Sequence, residues 1–259
     1  MPFGGETDPP RLSDSLTVLY RDEHLIAIDK PAGLLVHPSW IDKSETRCAM
    51  MMLRDQIGRY VYPVHRLDKP TSGVLLFALS PDTARLLTEA FTEKRVQKRY
   101  LAVVRGYTDV SGVIDHPLKE KLDKMTDRQA RPDKPPQPAV TEYQRLATLE
   151  LPVRVDRYPS SRYSLVEARP MTGRKHQLRR HFKHLAHPII GDTSYGKSNH
   201  NRLFAERFDC HRLLLAATHL ELPHPISGEP LKLEAGLDAS FSSVVAKFQL
   251  SGAASRTLR

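Results

Sequence analysis

The sequence of 259 residues lacks the features that mark several whole classes of protein. No apolar run approaches the roughly 20 residues that a membrane-spanning helix requires. Residues 1–14 contain no apolar core of a secretory signal and are expected to form a flexible lead-in. The two cysteines, Cys48 and Cys210, form neither a CxxC pair nor a zinc pattern. These absences predict a cytoplasmic protein with reduced thiols and no membrane association.

The sequence also lacks the common motifs for nucleotide and metal binding. It contains no P-loop, no G-x-G-x-x-G fingerprint, no H-E-x-x-H pair and no G-x-S-x-G nucleophile turn. Its 12 histidines are not spaced with cysteines or carboxylates in a metal-binding pattern. We therefore expect no metal, no nucleotide cofactor and no hydrolysis of nucleoside triphosphates.

Negative charge is scarce relative to positive charge. The 39 lysines and arginines exceed the 30 acidic residues, which gives a formal net charge of +9. Such an excess favours a polyanionic partner, namely nucleic acid, an anionic membrane surface or a phosphorylated substrate. The alternative is a basic protein without a special partner. The hydrophobic content of 40% excludes a wholly disordered chain.

Short apolar segments alternate with single helical segments, without a regular strand-helix-strand repeat. This order predicts an α+β fold with a largely antiparallel sheet, in one domain over residues 15–250. Residues 115–138 are rich in charge and proline and predict a loop or insertion, for which RNA contact is a further hypothesis. Residues 251–259 are expected to be frayed. The predicted strands cover Leu16–Tyr20, Leu25–Ile28, Tyr60–Val64, Val74–Leu79, Tyr100–Val104, Val140–Leu151, Arg162–Ala168 and Leu213–Leu222, and the predicted helices cover Arg47–Gly58, a segment beginning at Ser80, His176–Ala186 and Ala239–Leu250.

The segment HRLDKPTSG at residues 65–73 lies between two predicted strands, where a reactive side chain can be held rigidly. Its Asp68 has Arg66 and Lys69 close in sequence. Because cations favour the ionised carboxylate, Asp68 could act as a nucleophile or a base. The alternative is an aspartate that caps a turn, with its charged neighbours facing solvent.

Two further basic segments are candidates for binding an anion. In TGRKHQLRRH, a glycine ends a strand and a helix follows, so backbone amides together with Arg174, Lys175 and Arg179 would suit a phosphate. The alternative is a solvated basic helix face. In KRVQKRY, a basic strip ends at Tyr100, which could equally be a core tyrosine flanked by surface charges.

Four motifs follow one another along the chain. They are KPAGLLVHP at residues 30–38, HRLDKPTSG at 65–73, KRYLAVV at 98–104 and TGRKHQLRRHF, which is followed by HPIIGD. Their order and spacing closely resemble those of the RluA-type pseudouridine synthases, from about Leu16 to about Phe248. The resemblance implies a mixed, mostly antiparallel central sheet with flanking helices and loops, and an active-site cleft between two halves.

The resemblance also implies roles for individual residues. Asp68 would be the essential aspartate, which either attacks C1′ or removes a proton from C2′. Tyr100 would stack on the target uracil and assist proton transfer at C5, and Arg174 would pair with Asp68. No cofactor or metal would be needed. The residues implied to contact the substrate are Arg66, which would replace the flipped base, and His65, Lys175, Gln177, Arg179 and Arg180.

The proline in HRLDKPTSG and the segments KPPQPAV and RYPSSRYSLVE are similar to a subgroup of that family. This subgroup modifies uridine 65 in the T-stem of tRNA, so tRNA is the expected partner of a protein that we expect to be monomeric. Because the first predicted strand begins at Leu16, no N-terminal S4 domain is expected. The alternatives are the same chemistry on ribosomal RNA or another tRNA site, and a noncatalytic RNA-binding protein or chaperone. A glycoside hydrolase would need a second carboxylate beside Asp68.

Overall fold

A ten-stranded sheet lies at the centre of the computed structural model, which describes residues 15–38, 47–120 and 135–257. The strands are β1 (Thr17–Arg21), β2 (Leu25–Lys30), β3 (Tyr62–Pro63), β4 (Ser72–Ala78), β5 (Gln97–Arg105), β6 (Ser111–Asp115), β7 (Val140–Leu151), β8 (Ser161–Pro170), β9 (Leu215–Pro223) and β10 (Pro230–Glu234). The helices are α1 (Ala49–Ile57), α2 (Pro81–Thr92), α3 (Gln177–His184), α4 (Ser198–Phe208) and α5 (Ala239–Thr257).

The strands are ordered β1-β2-β4-β9-β5-β8-β7-β6, with β3 paired to β4 and β10 paired to β9. The pairing of β4 with β9 is parallel, whereas the neighbouring pairs β2–β4 and β5–β9 are antiparallel. The prediction of an α+β fold with a mixed, mostly antiparallel sheet is therefore confirmed.

The continuous apolar run of β4 reflects its position between β2 and β9. Successive side chains of a strand point to opposite faces of the sheet. Leu75 and Phe77 enter one core cluster, and Val74 and Leu76 enter another on the opposite face. All four are at most 1% exposed, so the strand has no solvent face that would require polar residues.

Two halves of the sheet meet where β4 pairs with β9. Gly73 lies at this junction with a φ of +109°, and a Cβ atom there would overlap the backbone carbonyl of Ala217. Only glycine allows this backbone conformation and this close approach together. The loop that carries Asp68 enters β4 just before the junction, which places it where the two halves meet.

Helix α2 begins as the sequence predicts. The Ser80 side chain accepts a hydrogen bond from the backbone N–H of Thr83, and Pro81 occupies the first turn. Leu87 and Ala90 then pack against the face of the sheet that contains Leu76. An N-terminal cap and an amphipathic period depend only on residues close in sequence, so the helix could be predicted from the sequence alone.

Other predictions at this level were incomplete or wrong. The strand β6 and the helix α4 were not predicted. Helix α5 spans Ala239–Thr257, and the fraying expected for residues 251–259 stays a prediction. The segment 115–138 is paired at its base, where Leu118 and Gln137 form an antiparallel bridge. The predictions for residues 1–14, 121–134 and 258–259 lie outside the described residues. Among the described residues, no helix is both long enough and apolar enough to cross a membrane.

Candidate active site

The Asp68 loop is fastened to the chain on both sides of the aspartate. The Asp68 carbonyl accepts a hydrogen bond from the N–H of Thr71 at 3.0 Å, which closes a turn. The next carbonyl, of Lys69, accepts the N–H of Gly33 at 2.9 Å and the Nζ of Lys30 at 3.1 Å. The N-terminal KPAG motif therefore supports the loop directly.

Lys30 is completely buried and supports this turn through its ammonium group. Its Nζ also donates to the carbonyl oxygens of Pro31 and Leu34, each at 2.8 Å. Burial, reinforced by Arg212, lowers the pKa of Lys30 to about 7, although Asp68 opposes the shift. Three carbonyl acceptors around one buried lysine explain how a charged residue can occupy this core position.

His65 anchors the start of the loop to β4. Its Nε2 accepts the backbone N–H of Leu76 at 2.9 Å, and its ring stacks on Phe91 with centroids 5.0 Å apart. Burial, with a smaller effect of Lys98, lowers the pKa of His65 to about 3. The imidazole is therefore neutral and able to accept this hydrogen bond. The ring of His65 is thus used within the protein, and its predicted contact with RNA stays a prediction.

Arg179 bridges two carboxylates at the centre of the site. Its Nη1 lies 3.2 Å from Oδ2 of Asp68, while its Nε and Nη2 donate to the two oxygens of Asp192 at 2.7 and 2.9 Å. The side chains of Arg179 and Asp192 are 5% and 0% exposed, whereas that of Asp68 is 18% exposed. Asp192 thus fixes the guanidinium on its buried side, and Asp68 is the member of this group that solvent reaches.

Asp192 is itself held by the backbone. Its Oδ1 accepts the N–H groups of Ser194 and Tyr195, each at 2.9 Å, and Asn201 donates to its carbonyl oxygen. Burial alone would raise the pKa of Asp192, but the hydrogen bonds and charge of Arg179 outweigh it and lower that pKa. The buried pair therefore stays charged at neutral pH.

His176 forms the other edge of the carboxylate site. It is the residue before α3 and has a left-handed backbone with a φ of 55°. Its Nε2 lies 3.8 Å from Oδ1 of Asp68, and its Nδ1 lies 3.0 Å from the hydroxyl of Tyr195. Burial lowers the pKa of His176 even though Asp68 acts in the opposite direction. A neutral imidazole is therefore favoured beside the carboxylate.

Tyr100 approaches the carboxylate from β5. It follows an irregularity in the β5–β9 register at Arg99 and packs against core clusters from both halves of the sheet. Burial, and secondly the negative charge of Asp68, raise the pKa of Tyr100 well above its ordinary value. Its hydroxyl therefore stays protonated over the pH range in which proteins function.

The arrangement sets a carboxylate beside a protonated phenol and a neutral imidazole. A carboxylate fixed by an arginine can attack an electrophilic carbon or remove a proton, and a phenol can stack on a planar base and donate a hydrogen bond. No group of three or more histidine, cysteine or acidic residues in the described part of the chain could hold a metal ion.

Comparisons with known proteins agree with this chemistry. A family model described as RNA pseudouridylate synthase matches residues 24–184, which is more than half of the chain. The chain belongs to this family. The tRNA pseudouridine synthase C of Yersinia pestis is 52% identical over 239 residues, covering 92% of the chain and 93% of that relative. The protein of the same name from Pectobacterium carotovorum subsp. carotovorum is 55% identical over 237 residues, which cover 92% of the chain but 63% of the relative's own length.

A solved structure extends the similarity to the fold. Human RNA Pseudouridylate Synthase Domain Containing 1 aligns with a TM-score of 0.67 at 25% identity, over 93% of this chain and 98% of that one. The predicted membership of a pseudouridine synthase family is confirmed, and the fold expected from it is confirmed as well.

One predicted contact of the enzyme is wrong. Asp68 is held by Arg179 and not by Arg174, which is exposed and donates from its Nε to the carbonyl of Pro138 at 3.2 Å. Arg174 lies in the turn that precedes α3, whereas Arg179 lies on the buried face of the helix. Because Arg179 is buried and bound to Asp68 and Asp192, it is not placed to bind a phosphate as predicted.

Gln177 also differs from its prediction as a substrate ligand. Its Oε1 accepts the N–H of Arg174 and the hydroxyl of Thr172, and its Nε2 donates to the carbonyl of Val140 and the hydroxyl of Thr141. Both ends of the amide are therefore used to hold the turn before α3 against β7.

Three other predicted substrate ligands face outward. Arg66 and Lys175 are exposed and Arg180 is half-buried, so RNA contact stays a prediction for each of them. Arg66 lies close enough to His37 to lower the pKa of that histidine, although burial is the larger cause. The exposed Arg66 therefore lies close to His37 of the N-terminal motif.

Asp192, His176 and Tyr195 were missed as parts of the site. Asp192 belongs to the HPIIGD motif. Had the burial of Arg179 been predicted, a carboxylate partner would have been expected for it, because a buried charge needs a partner. Nothing in the sequence signals the left-handed backbone of His176, because that conformation is set by tertiary contacts.

Proposed function

We propose that this enzyme converts uridine to pseudouridine in tRNA, with Asp68 as the essential carboxylate. The single observation that carries the proposal is the Asp68 carboxylate, held by Arg179 and facing the protonated Tyr100. The names of the two bacterial relatives, each a tRNA pseudouridine synthase C, support tRNA as the substrate.

The reaction is an isomerisation that needs no other reactant. The bond between N1 and C1′ breaks, the uracil turns, and a bond between C5 and C1′ forms. C5 then loses its proton and N1 gains one, so atoms and electrons balance. Asp68 either attacks C1′ or removes the proton on C2′, and both routes use the same fixed carboxylate.

Tyr100 contributes differently from Asp68. Because its pKa is raised by burial and by Asp68, its hydroxyl remains protonated when the substrate binds. Its ring can stack on the uracil, and its hydroxyl can donate a hydrogen bond. The C5 proton becomes acidic only after the new bond has formed, and the Tyr100 hydroxyl assists its removal at that stage by hydrogen bonding, because a phenol that is already protonated cannot accept that proton.

The target uridine has to leave its base stack before it can reach Asp68. Extruding a nucleotide costs a few kcal/mol. Arg66 is exposed in the Asp68 loop, where its guanidinium can fill the space that the uracil vacates. This offsets part of the cost and keeps the nucleotide extruded.

We further propose uridine 65 in the T-stem as the target. The proposal draws on the segments KPPQPAV and RYPSSRYSLVE and on the proline in the Asp68 loop, which resemble the tRNA-modifying subgroup. The same chemistry at another uridine is the alternative.

The test incubates the enzyme and an Asp68→Asn variant with unmodified tRNA transcripts and with ribosomal RNA fragments. Pseudouridine is mapped by carbodiimide treatment and reverse-transcription stops. We expect a stop at position 65 that the variant does not produce. Asp209→Asn is the matched control, because Asp209 is 97% exposed and already in a left-handed conformation that asparagine adopts. A stop elsewhere would change the target, and a stop with Asp68→Asn would refute the role of Asp68.

A further inference from the structure

A second concave surface lies beside α3, apart from the Asp68 carboxylate. It is a cavity of about 300 Å³ that opens to the surface. Residues of α3, the segment after β6 and the segment after Asp192 form its walls. The lining residues are His116, Leu118, Arg180, Lys183, His184 and Tyr195.

The wall opposite α3 is held in place by hydrogen bonds. The N–H of His116 donates to Ala139, and the backbone of Leu118 bridges to Gln137 in both directions. The buried His181 lies 3.0 Å from the hydroxyl of Thr141 through Nδ1 and 3.1 Å from the carbonyl of His116 through Nε2. The base of the 115–138 segment is therefore fixed against α3, and the cavity is part of the folded structure.

The lining is cationic and rich in N–H donors. Arg180 and Lys183 bring positive charge, and among the residues that the structure describes no carboxylate lines the cavity. His116 and His184 stack with their ring centroids 3.7 Å apart and 13° between their planes, which presents two imidazole edges together. Guanidinium, ammonium and imidazole groups on one concave surface suit a phosphate, which offers only acceptor oxygens and negative charge.

Tyr195 connects this cavity to the active site. Its hydroxyl lies 3.0 Å from His176, which in turn lies 3.8 Å from Asp68. Its ring lies under Arg179 at 5.2 Å and under Lys183 at 5.8 Å, measured to the ring centroid. One tyrosine thus separates the cavity from the groups that hold the carboxylate.

We propose that this cavity binds a backbone phosphate of the substrate RNA, close to the nucleotide that enters the active site. The inference rests on the proposed function. Contacts to phosphates fix the register of a nucleic acid on a protein. Contacts to the extruded base distinguish uracil from other bases but do not determine which uridine along the RNA is bound. A phosphate held beside α3 would therefore help to determine which uridine reaches Asp68.

The test compares the wild-type enzyme with an Arg180→Gln/Lys183→Gln double variant. RNA affinity is measured by fluorescence anisotropy on a labelled tRNA transcript from low to moderate salt, and pseudouridine formation is measured at saturating RNA. We expect about a ten-fold weaker affinity and a salt slope that is smaller by about one, because the contacts to one phosphate are lost. The rate at the target uridine at saturating RNA should fall as well, by at least about three-fold, because the phosphate that sets the register no longer aligns that uridine with Asp68.

The matched control removes two positive charges elsewhere, by Arg85→Gln/Lys232→Gln. Both residues are exposed, at 64% and 68%, and neither lines the cavity. Thermal unfolding checks that both double variants are folded. An equal loss of affinity in the control would overturn the proposal, because it would reduce the effect to net charge.

A second measurement identifies the phosphate. Synthetic T-stem RNAs, each with one methylphosphonate in place of a phosphate, are bound to the wild-type enzyme and to the Arg180/Lys183 double variant. We expect one position near the target at which neutralisation weakens binding to wild type but not to the double variant. Additive losses at every position, or inhibition by free inorganic phosphate without this coupling, would overturn the proposal. Failure of the wild-type enzyme to form pseudouridine in tRNA would instead refute the proposed function.

Discussion

Replacing Asp192 by asparagine tests how the carboxylate of Asp68 is held. The substitution preserves the size of the side chain and one of its oxygens but removes its charge. Arg179 then keeps a single charged partner, Asp68, and loses one of the two hydrogen bonds to residue 192, at 2.7 and 2.9 Å in the structure.

The size of the effect follows from burial. The Asp192 side chain is fully buried and that of Arg179 is 5% exposed, so solvent cannot replace the lost partner. Breaking a buried ion pair by removing one charge costs about 3–5 kcal/mol. Asparagine keeps one acceptor, so we expect a loss of about 3 kcal/mol in the free energy of unfolding. For a chain of this size, that loss lowers the melting temperature by roughly 6–12 °C.

The assay is thermal unfolding of wild type and Asp192→Asn, together with pseudouridine formation at a temperature where both are folded. Asp209→Asn is the control, and its unfolding free energy should change by less than about 0.5 kcal/mol because Asp209 is exposed. We also expect the rate at saturating RNA to fall at least about ten-fold, since a displaced Arg179 no longer orients Asp68.

The dependence on pH gives an independent check. Burial would raise the pKa of Asp192, but Arg179 lowers it overall, so the folded state has the lower pKa. The stability that this carboxylate contributes is then fully present above its unfolded pKa of about 4. It is lost as the pH falls through the lower pKa of the folded state. The difference between wild type and Asp192→Asn should stay constant between about pH 7 and pH 5 and shrink below about pH 4. A melting temperature within about 2 °C of wild type at pH 7 would refute the reasoning.

Two further substitutions test other parts of the structure. Tyr100→Phe keeps the ring and removes the hydroxyl, so RNA affinity should be unchanged while the rate at saturating RNA falls at least about 100-fold, because a hydrogen-bond donor to the reacting uracil is lost. A wild-type rate would contradict this role. Gly73→Ala should prevent stable folding, because its Cβ would overlap Ala217, whereas Gly58→Ala also has a positive φ but open space and should cost about 1–2 kcal/mol in urea unfolding. Equal costs for the two glycines would show that the β4–β9 contact is not the constraint.

The features that could be predicted from the sequence are those with a local cause. The segment Val74–Leu79 was predicted as a strand and corresponds to β4, and the helix predicted to begin at Ser80 corresponds to α2. The loop of Asp68 could be placed because strand signals flank it. In each case the neighbours in sequence are also the neighbours in space.

The choice between Arg174 and Arg179 could not be made in this way. Both arginines belong to one basic motif, and which of them faces Asp68 depends on where α3 begins. That start is fixed by the left-handed His176 and by the contacts of Gln177 with β7. The carboxylate Asp192, which completes the site, comes from a different segment. Such contacts between distant segments leave no periodic signal in the sequence.

The side chains around Asp68 differ in charge from the chain as a whole. Arg179 lies between Asp68 and Asp192, and burial favours the neutral form of His176, so these four side chains together carry one positive and two negative charges. The chain as a whole carries +9. RNA phosphates are attracted to the surrounding cations, whereas the ribose, which becomes cation-like when the N1–C1′ bond breaks, meets the negative centre. Asp192→Asn would make this group neutral and would weaken that stabilisation in addition to releasing Arg179. A loss of rate that exceeds the loss of substrate affinity in this variant is therefore expected from electrostatics as well as from geometry.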